Sequence, residues 1–382
     1  MRANNLVRIP VNNSRALQKM AHLLERADIR LNGKRPWDMR IHSDAVPRKV
    51  LALGNLGLGE SYMQGEWDVD RLDEFMYRIL RARLDRHAGG LVMLLHNLRA
   101  RLLNLQTLRR AWHVGEAHYD LGNEFYQAML DPRMTYTCGY WQHADNLADA
   151  QLAKLDMVCR KLDLQPGMKL LDIGCGWGSF MAYAAEHYGV ECEGVTISRE
   201  QAAWAKQRYS HLPLRFKLQD YRDCEGQFDR IVSIGMFEHV GRKNYPAFMQ
   251  VAQRCLKDDG LMLLHTIGKN EAHTPPDPWI DKYIFPNGDL PAMSQISDAA
   301  EERLVLEDLH NFGADYDTTL MAWYKNFVAA WPRFRSQLDQ KFFRMWEYYL
   351  LTCAGAFRAR NIQVWQLVYS RHGMLGGYRR PL

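Results

Sequence analysis

The segment Lys169-Leu170-Leu171-Asp172-Ile173-Gly174-Cys175-Gly176-Trp177-Gly178 constrains this chain more than any other. Its first half is a short apolar run, the pattern of a buried strand. Three alternate glycines follow, and then a helical pattern over 180–187. Glycine lets a backbone turn sharply and lie close against a ligand, because no side chain stands in the way. A dinucleotide fingerprint places its third glycine later and seats an anionic pyrophosphate on the helix N-terminus. Here the third glycine comes early, and Asp172 would repel a phosphate. A cofactor that carries a positive amino group and a sulfonium meets no such repulsion.

The surrounding sequence supplies the fold for that loop. Asn146 is placed to cap a helix with Leu147, Leu152, Leu155, Val158, Cys159 and Leu162 on its apolar face, ended by Gln165-Pro166-Gly167. Strands are expected at 192–197, 214–218, 228–234 and 261–266, separated by helices at 180–187, 199–208 and 245–256. This is the rhythm of a doubly wound α/β sheet. Ligands of such sheets sit at the carboxyl ends of the strands. Residues 270–345 are expected to form a helical insertion that shapes a substrate pocket.

Residues 15–110 read differently. Apolar residues recur at helical spacing in Leu72, Phe75, Met76, Ile79 and Leu80, and again from Leu91 through Leu94, Leu95, Leu98 and Leu102 to Leu105. The glycine cluster Gly54-Asn55-Leu56-Gly57-Leu58-Gly59 has the wrong spacing for a nucleotide loop and reads as a turn between helices. The division expected is a helical domain over 1–110 and a catalytic domain over 111–382.

No apolar stretch approaches the roughly 20 residues of a membrane-spanning helix, and the first residues lack the apolar core and cleavage site of a secretory signal. Seven cysteines are scattered without Cys-x-x-Cys or zinc-finger spacing, so reduced thiols in a cytoplasm, and no metal site, are expected. A formal charge of +5 favours anionic surfaces only mildly.

The glycine loop resembles motif I of class I S-adenosylmethionine-dependent methyltransferases, which implies a Rossmann-like domain. In that likeness Asp172, Gly174, Gly176 and Gly178 lie along the amino acid part of S-adenosyl-L-methionine. Many such enzymes end the second strand in an acidic residue for the ribose hydroxyls, whereas this chain reads Gly194-Val195-Thr196-Ile197-Ser198. Thr196 and Gln201 can donate and accept there, with Ser198 beside them. At the third strand end, Gln219, Asp220 and Tyr221 are suitably placed for the adenine amino group; the alternative is an ordinary strand-to-turn junction. The Asn/Asp-Pro-Pro-aromatic motif of DNA amine methylation and a Pro-Cys nucleophile are both absent, so nucleic acid is not the expected substrate.

A longer set of segments resembles the cyclopropane fatty acid synthase family. These are His118-Tyr119-Asp120-Leu121-Gly122-Asn123, Tyr136-Thr137-Cys138, Gly235-Met236-Phe237-Glu238-His239-Val240-Gly241, Leu264-His265-Thr266-Ile267-Gly268, Tyr283-Ile284-Phe285-Pro286-Asn287-Gly288, Asn311-Phe312-Gly313-Ala314-Asp315-Tyr316 and Thr352-Cys353-Ala354-Gly355-Ala356-Phe357-Arg358. The resemblance implies methylene transfer to the double bond of unsaturated phospholipid acyl chains, with Tyr136 and Thr137 also at the cofactor. It implies bound bicarbonate as proton acceptor, caged by Cys138 and Ile267 through their backbones and by Glu238, His265 and Tyr316. From the residues alone, His265 is equally a satisfied core histidine and Tyr316 a packing residue. Cys353 joins the candidates, although the reaction needs no nucleophile; the alternative is a small buried residue near the site. Tyr136, Trp141, Phe237, Tyr283 and Tyr316 could stabilise a carbocation through their π faces.

The likeness further implies a homodimer in peripheral contact with the inner face of a membrane. Arg81, Arg83, Arg86, Arg99, Arg101, Arg109 and Arg110 beside apolar stripes suit anionic headgroups, while an ordinary solvated helix face explains them equally well. Two rivals remain: a methyltransferase that stops at methyl addition or takes a soluble substrate, and a scaffold that binds cofactor without turnover.

Overall fold

The computed structural model describes residues 14–87 and 122–381. The stripe from Leu91 to Leu105, Arg99, Arg101, Arg109, Arg110, the proposed boundary at 110 and most of the segment that begins at His118 lie outside the described residues.

The N-terminal part comprises α1 (Arg15–Glu25), β1 (Arg40–Ile41), α2 (Val46–Leu53), α3 (Asn55–Met63), β2 (Trp67–Asp68) and α4 (Leu72–Arg81). The glycine cluster is a turn at one residue only. Gly54, at φ 60°, separates α2 from α3, and Gly57 and Gly59 lie inside α3. A Cβ on Gly57 would collide with the Lys49 carbonyl, and one on Gly59 with the Trp279 ring. The expected connecting loop is thus mostly helix, and its later glycines serve close packing.

The second part runs α5 (Asn123–Met129), α6 (Leu147–Lys161), β3 (Lys169–Ile173), α7 (Ser179–Tyr188), β4 (Glu191–Thr196), α8 (Arg199–Arg208), β5 (Leu214–Leu218), β6 (Phe228–Ile234), α9 (Tyr245–Cys255), β7 (Leu256–Lys269), α10 (Pro278–Tyr283), α11 (Met293–Ala300), β8 (Val305–Asn311), α12 (Ala314–Phe334), α13 (Gln340–Arg358) and β9 (Ile362–Ser370). Asn146 caps α6 as its position predicts, its side chain accepting from Asp149 N at 3.0 Å.

The sheet order is β5-β4-β3-β6-β7-β9-β8. β5 through β7 run parallel, and β9 is antiparallel to both of its neighbours. Alternation along β3 sends Leu171 and Ile173 into the core shared with α9, and Leu170 into the core shared with α6 and α7. Strand order reverses between β3 and β6, so their carboxyl ends open a crevice.

β8 and β9 fall outside the strands expected from sequence. β8 stands at the sheet edge with Val305, Leu306 and Leu309 exposed among acidic residues, and β9 buries Gln363 and Gln366 within its apolar run. Neither presents a clean apolar pattern. The 270–345 region is correspondingly not all helix, since it contains β8, and β7 extends past 261–266 in both directions.

The N-terminal helices share one apolar core with α5, α12 and α13, built around Trp67, Phe75, Phe125, Trp323 and Trp346. At the crossing of α4 and α13, a Cβ on Gly355 would stand 2.7 Å from the Asp73 carbonyl oxygen. Arg358 at the end of α13 bonds Asp73 at 2.8 Å and Asp317 at 2.9 and 3.0 Å.

Candidate active site

The loop after β3 uses its three glycines for different ends. Gly174 (φ 89°) brings the backbone against Met236, where a Cβ would meet that side chain at 2.5 Å, and Gly178 (φ 80°) lies under Phe216 at 2.7 Å. Gly176 (φ 54°) faces open space. Two glycines therefore fit the loop into the sheet, and the middle one leaves room for a ligand.

Asp172, Gly174, Gly176 and Gln201 line one wall of a cavity of about 990 Å³ that also takes in Tyr136, Thr137 and Lys154. Asp172 is 3% exposed. Burial pushes its carboxyl up to about 7, against the pull of the Lys154 ammonium. Burial likewise pushes Lys154 down to about 8. A cation placed beside Asp172 would restore its ionised form.

Segment 136–141 has no regular structure and is held from both sides. Lys154 Nζ donates to Thr137 Oγ1 at 3.0 Å, and Gln151 Nε2 to the Thr137 carbonyl at 2.7 Å. From α12, Thr319 Oγ1 accepts from Gly139 N at 3.0 Å and from the Trp141 indole at 2.9 Å. Sequence reasoning missed Lys154. The signal was a lysine on the same helical stripe as Leu147 and Val158, a position where a charge is costly unless it is used.

Other cofactor candidates stand off the cavity wall. Thr196 Oγ1 accepts from Ser198 N at 3.1 Å, and Ser198 Oγ caps α8 by accepting from Gln201 N at 3.3 Å. Asp220 is engaged by Arg222 Nε at 2.8 Å. Gln219 Nε2 lies 3.7 Å from Cys224 Sγ, and the Tyr221 ring packs on Phe248.

The turn after β6 and the end of β7 supply the opposite wall. Gly235 (φ 68°) lets this turn approach Thr137, where a Cβ would meet its methyl at 2.6 Å. Glu238 Oε1 accepts from Ile267 N at 2.7 Å, while Oε2 is buried without a partner among the described residues. Burial pushes the Glu238 carboxyl up to about 7. His265 is buried, and burial together with the Lys154 and Lys161 charges holds its ring well below the usual range, hence neutral. Its Nδ1 lies 3.2 Å from Gln366 Nε2. The Tyr316 ring stacks on Phe357 with centroids 4.5 Å apart, and burial raises its hydroxyl well above the ordinary value.

Glu238, His265, Ile267, Tyr316 and Cys353 all border this same cavity. Burial pushes the Cys353 thiol up to about 12, so at neutral pH it is no thiolate nucleophile. The Cys138 thiol is fully buried and donates to the Gly139 carbonyl at 3.2 Å. Of the aromatic candidates, Tyr136 and Tyr316 reach the cavity, their neighbours there being Tyr349 and Phe357. Phe237 instead stacks on Tyr245 within the sheet core, Trp141 bonds Thr319 and Tyr283 bonds Glu60.

Beyond these groups the cavity continues between apolar side chains of the N-terminal helices, including Leu24, Leu58, Phe75 and Ile79. Exposed Arg81, Arg83, Asp85 and Arg86 also line it, Arg86 paired with Glu271 at 2.5 Å. The polar part of the cavity, with two shifted carboxyls and a neutral imidazole, is thus continuous with this apolar part.

The family model described as mycolic acid cyclopropane synthetase matches residues 106–367. The chain is 54% identical over 364 residues to the cyclopropane-fatty-acyl-phospholipid synthase of Escherichia coli (strain K12), covering 94% of each. Among solved structures, it is similar to the cyclopropane synthase MmaA2 from Mycobacterium tuberculosis at TM-score 0.65 and 32% identity, over 68% of this chain and 98% of that one. Mycolic acid cyclopropane synthase CmaA1 complexed with SAH and CTAB gives TM-score 0.64 and 36% identity over the same shares.

Proposed function

The chain belongs to the mycolic acid cyclopropane synthetase family, and from that membership we propose that it transfers a methylene unit from S-adenosylmethionine to the cis double bond of unsaturated phospholipid acyl chains, forming a cyclopropane ring. It is an S-adenosylmethionine-dependent methyltransferase. The finer reading includes bicarbonate as proton acceptor, a phospholipid presented at a membrane surface, and residues 1–110 as the docking domain.

When bound, S-adenosylmethionine supplies an electrophilic methyl on a sulfonium, and bicarbonate supplies a base for the proton that the added methyl must lose. The residues fit both groups. Gly176 leaves open space beside Asp172, whose carboxyl lacks a cationic partner at bonding distance among the described residues. Asp172 would hold the amino group of the methyl donor, and Lys154 donates to Thr137 beside it.

The observation that carries the anion site is Glu238 Oε2, a buried oxygen without a partner in a cleft shared with His265 and Tyr316. Such an atom costs free energy unless a ligand completes it. Its partner oxygen is pinned by Ile267 N, so the free one has a fixed direction. A neutral His265 and a protonated Tyr316 can hold an oxyanion without competing for the proton. Tyr136, Tyr316 and Phe357 present aromatic faces to a cationic acyl chain and offer it no base.

The apolar part of the cavity suits an acyl chain, and the exposed Arg81 and Arg83 on its wall suit an anionic headgroup. Among the described residues no helix is long and apolar enough to cross a membrane; peripheral docking at the cytoplasmic face is what the family likeness adds to the proposal. The likeness extends the proposal to a homodimer.

The test is incubation of the purified chain with S-adenosylmethionine, bicarbonate and vesicles of mono-unsaturated phospholipid, with gas chromatography and mass spectrometry of the fatty acids. Cyclopropane product that is lost in Glu238→Ala is the expected result. Measurable cofactor binding without product on any unsaturated phospholipid would sink the lipid assignment, and a methylated product that keeps an alkene would mean that the reaction stops short of ring closure.

A further inference from the structure

Behind the cleft, His265 is backed by polar side chains that the reaction as described does not use. His265, Gln366 and His310 stand side by side across β7, β9 and β8, paired in register. Gln366 is fully buried between the two rings. Its Oε1 accepts from Lys161 Nζ at 2.9 Å, and its Nε2 faces His265 Nδ1 at 3.2 Å. Lys161, itself 1% exposed, also meets His310 Nδ1 at 3.0 Å and Asp308 at 3.9 Å.

The chemistry of these groups removes the usual ambiguity of an amide and an imidazole. Burial pushes Lys161 down to about 7 against the pull of Asp308, so below neutral pH it is an ammonium; an ammonium only donates, and Gln366 then turns its carbonyl oxygen to Lys161. Its amide nitrogen then donates to His265 Nδ1, and a ring nitrogen that accepts carries no proton. In a neutral ring the remaining proton sits on Nε2.

We infer that Lys161 and Gln366 are positioning residues that lock His265 in its Nε2–H form, so that it meets the cavity as a hydrogen-bond donor to an oxyanion of the carboxylate or carbonate kind. The identity of that anion rests on the proposed function; the locked tautomer does not. The arrangement resembles the way an outer partner fixes a histidine at a metal or catalytic site, transferred to an anion site. With the opposite tautomer, His265 would turn a lone pair towards the anion and repel it. A lysine on a stripe shared with Leu147 and Val158 and a glutamine within an apolar strand are costly choices, and this use accounts for both.

The variant Gln366→Glu keeps the shape and reverses the chemistry, because a carboxylate accepts from Lys161 and from His265 alike and so calls the proton to Nδ1. Imidazole nitrogen NMR on the full-length chain, with the His265 signals assigned by their loss in His265→Gln, reads the tautomer directly. At pH 6, where Lys161 is an ammonium, the wild type is expected to show an unprotonated Nδ1 and a protonated Nε2, and Gln366→Glu the reverse. In that variant the bicarbonate concentration for half-maximal rate should rise roughly tenfold or more, the worth of one hydrogen bond to a charged group. Its affinity for S-adenosylhomocysteine should stay unchanged, which also shows that the variant is folded.

Lys161→Met provides a second route, because it frees the amide to rotate and should yield a mixture of tautomers. A wild-type proton on Nδ1 overturns the inference. So does a folded Gln366→Glu or Lys161→Met with the wild-type spectrum and the wild-type bicarbonate dependence. Full activity without bicarbonate in the wild type, beside the expected spectrum, would instead overturn the anion assignment and leave the tautomer lock standing.

Discussion

Asp73, where the N-terminal helices meet α13, and Asp172, in the cofactor loop, are 1% and 3% exposed. Their surroundings answer that burial in opposite ways. Burial alone would raise the Asp73 carboxyl, but hydrogen bonds from Arg71 and Arg358 hold it below the usual carboxylate range. Asp172 has the Lys154 charge in its vicinity without a bonded arginine, and burial carries it up to about 7. Glu238, also raised to about 7, keeps one oxygen without a partner among the described residues. The joint between the two parts is electrostatically complete, whereas the cleft is left incomplete for its ligands to finish. A charge paired inside the fold contributes rigidity; a charge left unpaired is stability withheld for function.

The largest expected effect breaks the complete side. Arg358→Met removes the cation that joins Asp73 on α4 to Asp317 on α12. Removing one partner of a fully buried pair costs roughly 3–5 kcal/mol; with Arg358 half-buried and Arg71 still on Asp73, the cost should lie at the lower end of that range. The urea midpoint should fall accordingly, and a midpoint equal to wild type would show that Arg71 alone satisfies Asp73. On the incomplete side, Glu238→Gln keeps the shape and removes the charge. Cyclopropane formation should drop by about 10²–10³, the scale of losing one preorganised contact to a developing charge. Its urea midpoint should be no lower than wild type, because the amide keeps an oxygen to accept from Ile267 N and the other carboxylate oxygen bonds nothing among the described residues. Equal losses of stability and of activity in this variant would erase the contrast.

The same contrast explains what the sequence made legible. The parallel half of the sheet was readable because β3 and β6 carry short apolar runs, β5 alternates apolar and basic residues, and the glycine loop after β3 marked the crevice. The set Glu238, His265, Ile267 and Tyr316 was readable only through family likeness, since each is ordinary in its own local pattern. β8 and β9 were not legible, because an edge strand with exposed leucines and a strand with buried glutamines both lack the alternation that betrays a strand. Lys154 and Lys161 were visible on the apolar stripe of α6 and passed unread. Their meaning depends on Thr137 and on Gln366, which are brought to them only by the folded sheet.

A smaller effect tests whether the joint needs its close approach as well as its charges. In Gly355→Ala the new methyl would lie 2.7 Å from the Asp73 carbonyl oxygen and 2.8 Å from Tyr77 N, so α4 and α13 must separate. Overpacking of this kind costs about 1–3 kcal/mol. The expected result is a lower thermal midpoint with unchanged affinity for S-adenosylhomocysteine, since the glycine loop lies elsewhere. A matching loss of affinity would mean that the joint and the cofactor loop move as one unit.

The smallest effect asks whether Asp172 is incomplete in the sense argued here. Its folded, ligand-free carboxyl titrates near 7, above an ordinary value of 3.8. A group raised on folding contributes stability that is present in full below its unfolded value and is lost as pH rises through the folded one, so at pH 8 the empty cleft carries an ionised carboxylate that weakens the fold. The ammonium of S-adenosylhomocysteine reverses that sign, because it favours the ionised form. Affinity measured by calorimetry should therefore be level above pH 7 and fall below it, approaching about tenfold per pH unit, or about 1.4 kcal/mol. Asp172→Asn should bind weakly with no such slope and should stabilise the ligand-free chain at pH 8. An unchanged slope in Asp172→Asn would assign the titration to another group, and a wild-type affinity that holds level down to pH 5 would mean that Lys154 already completes Asp172, making the cleft as finished as the joint.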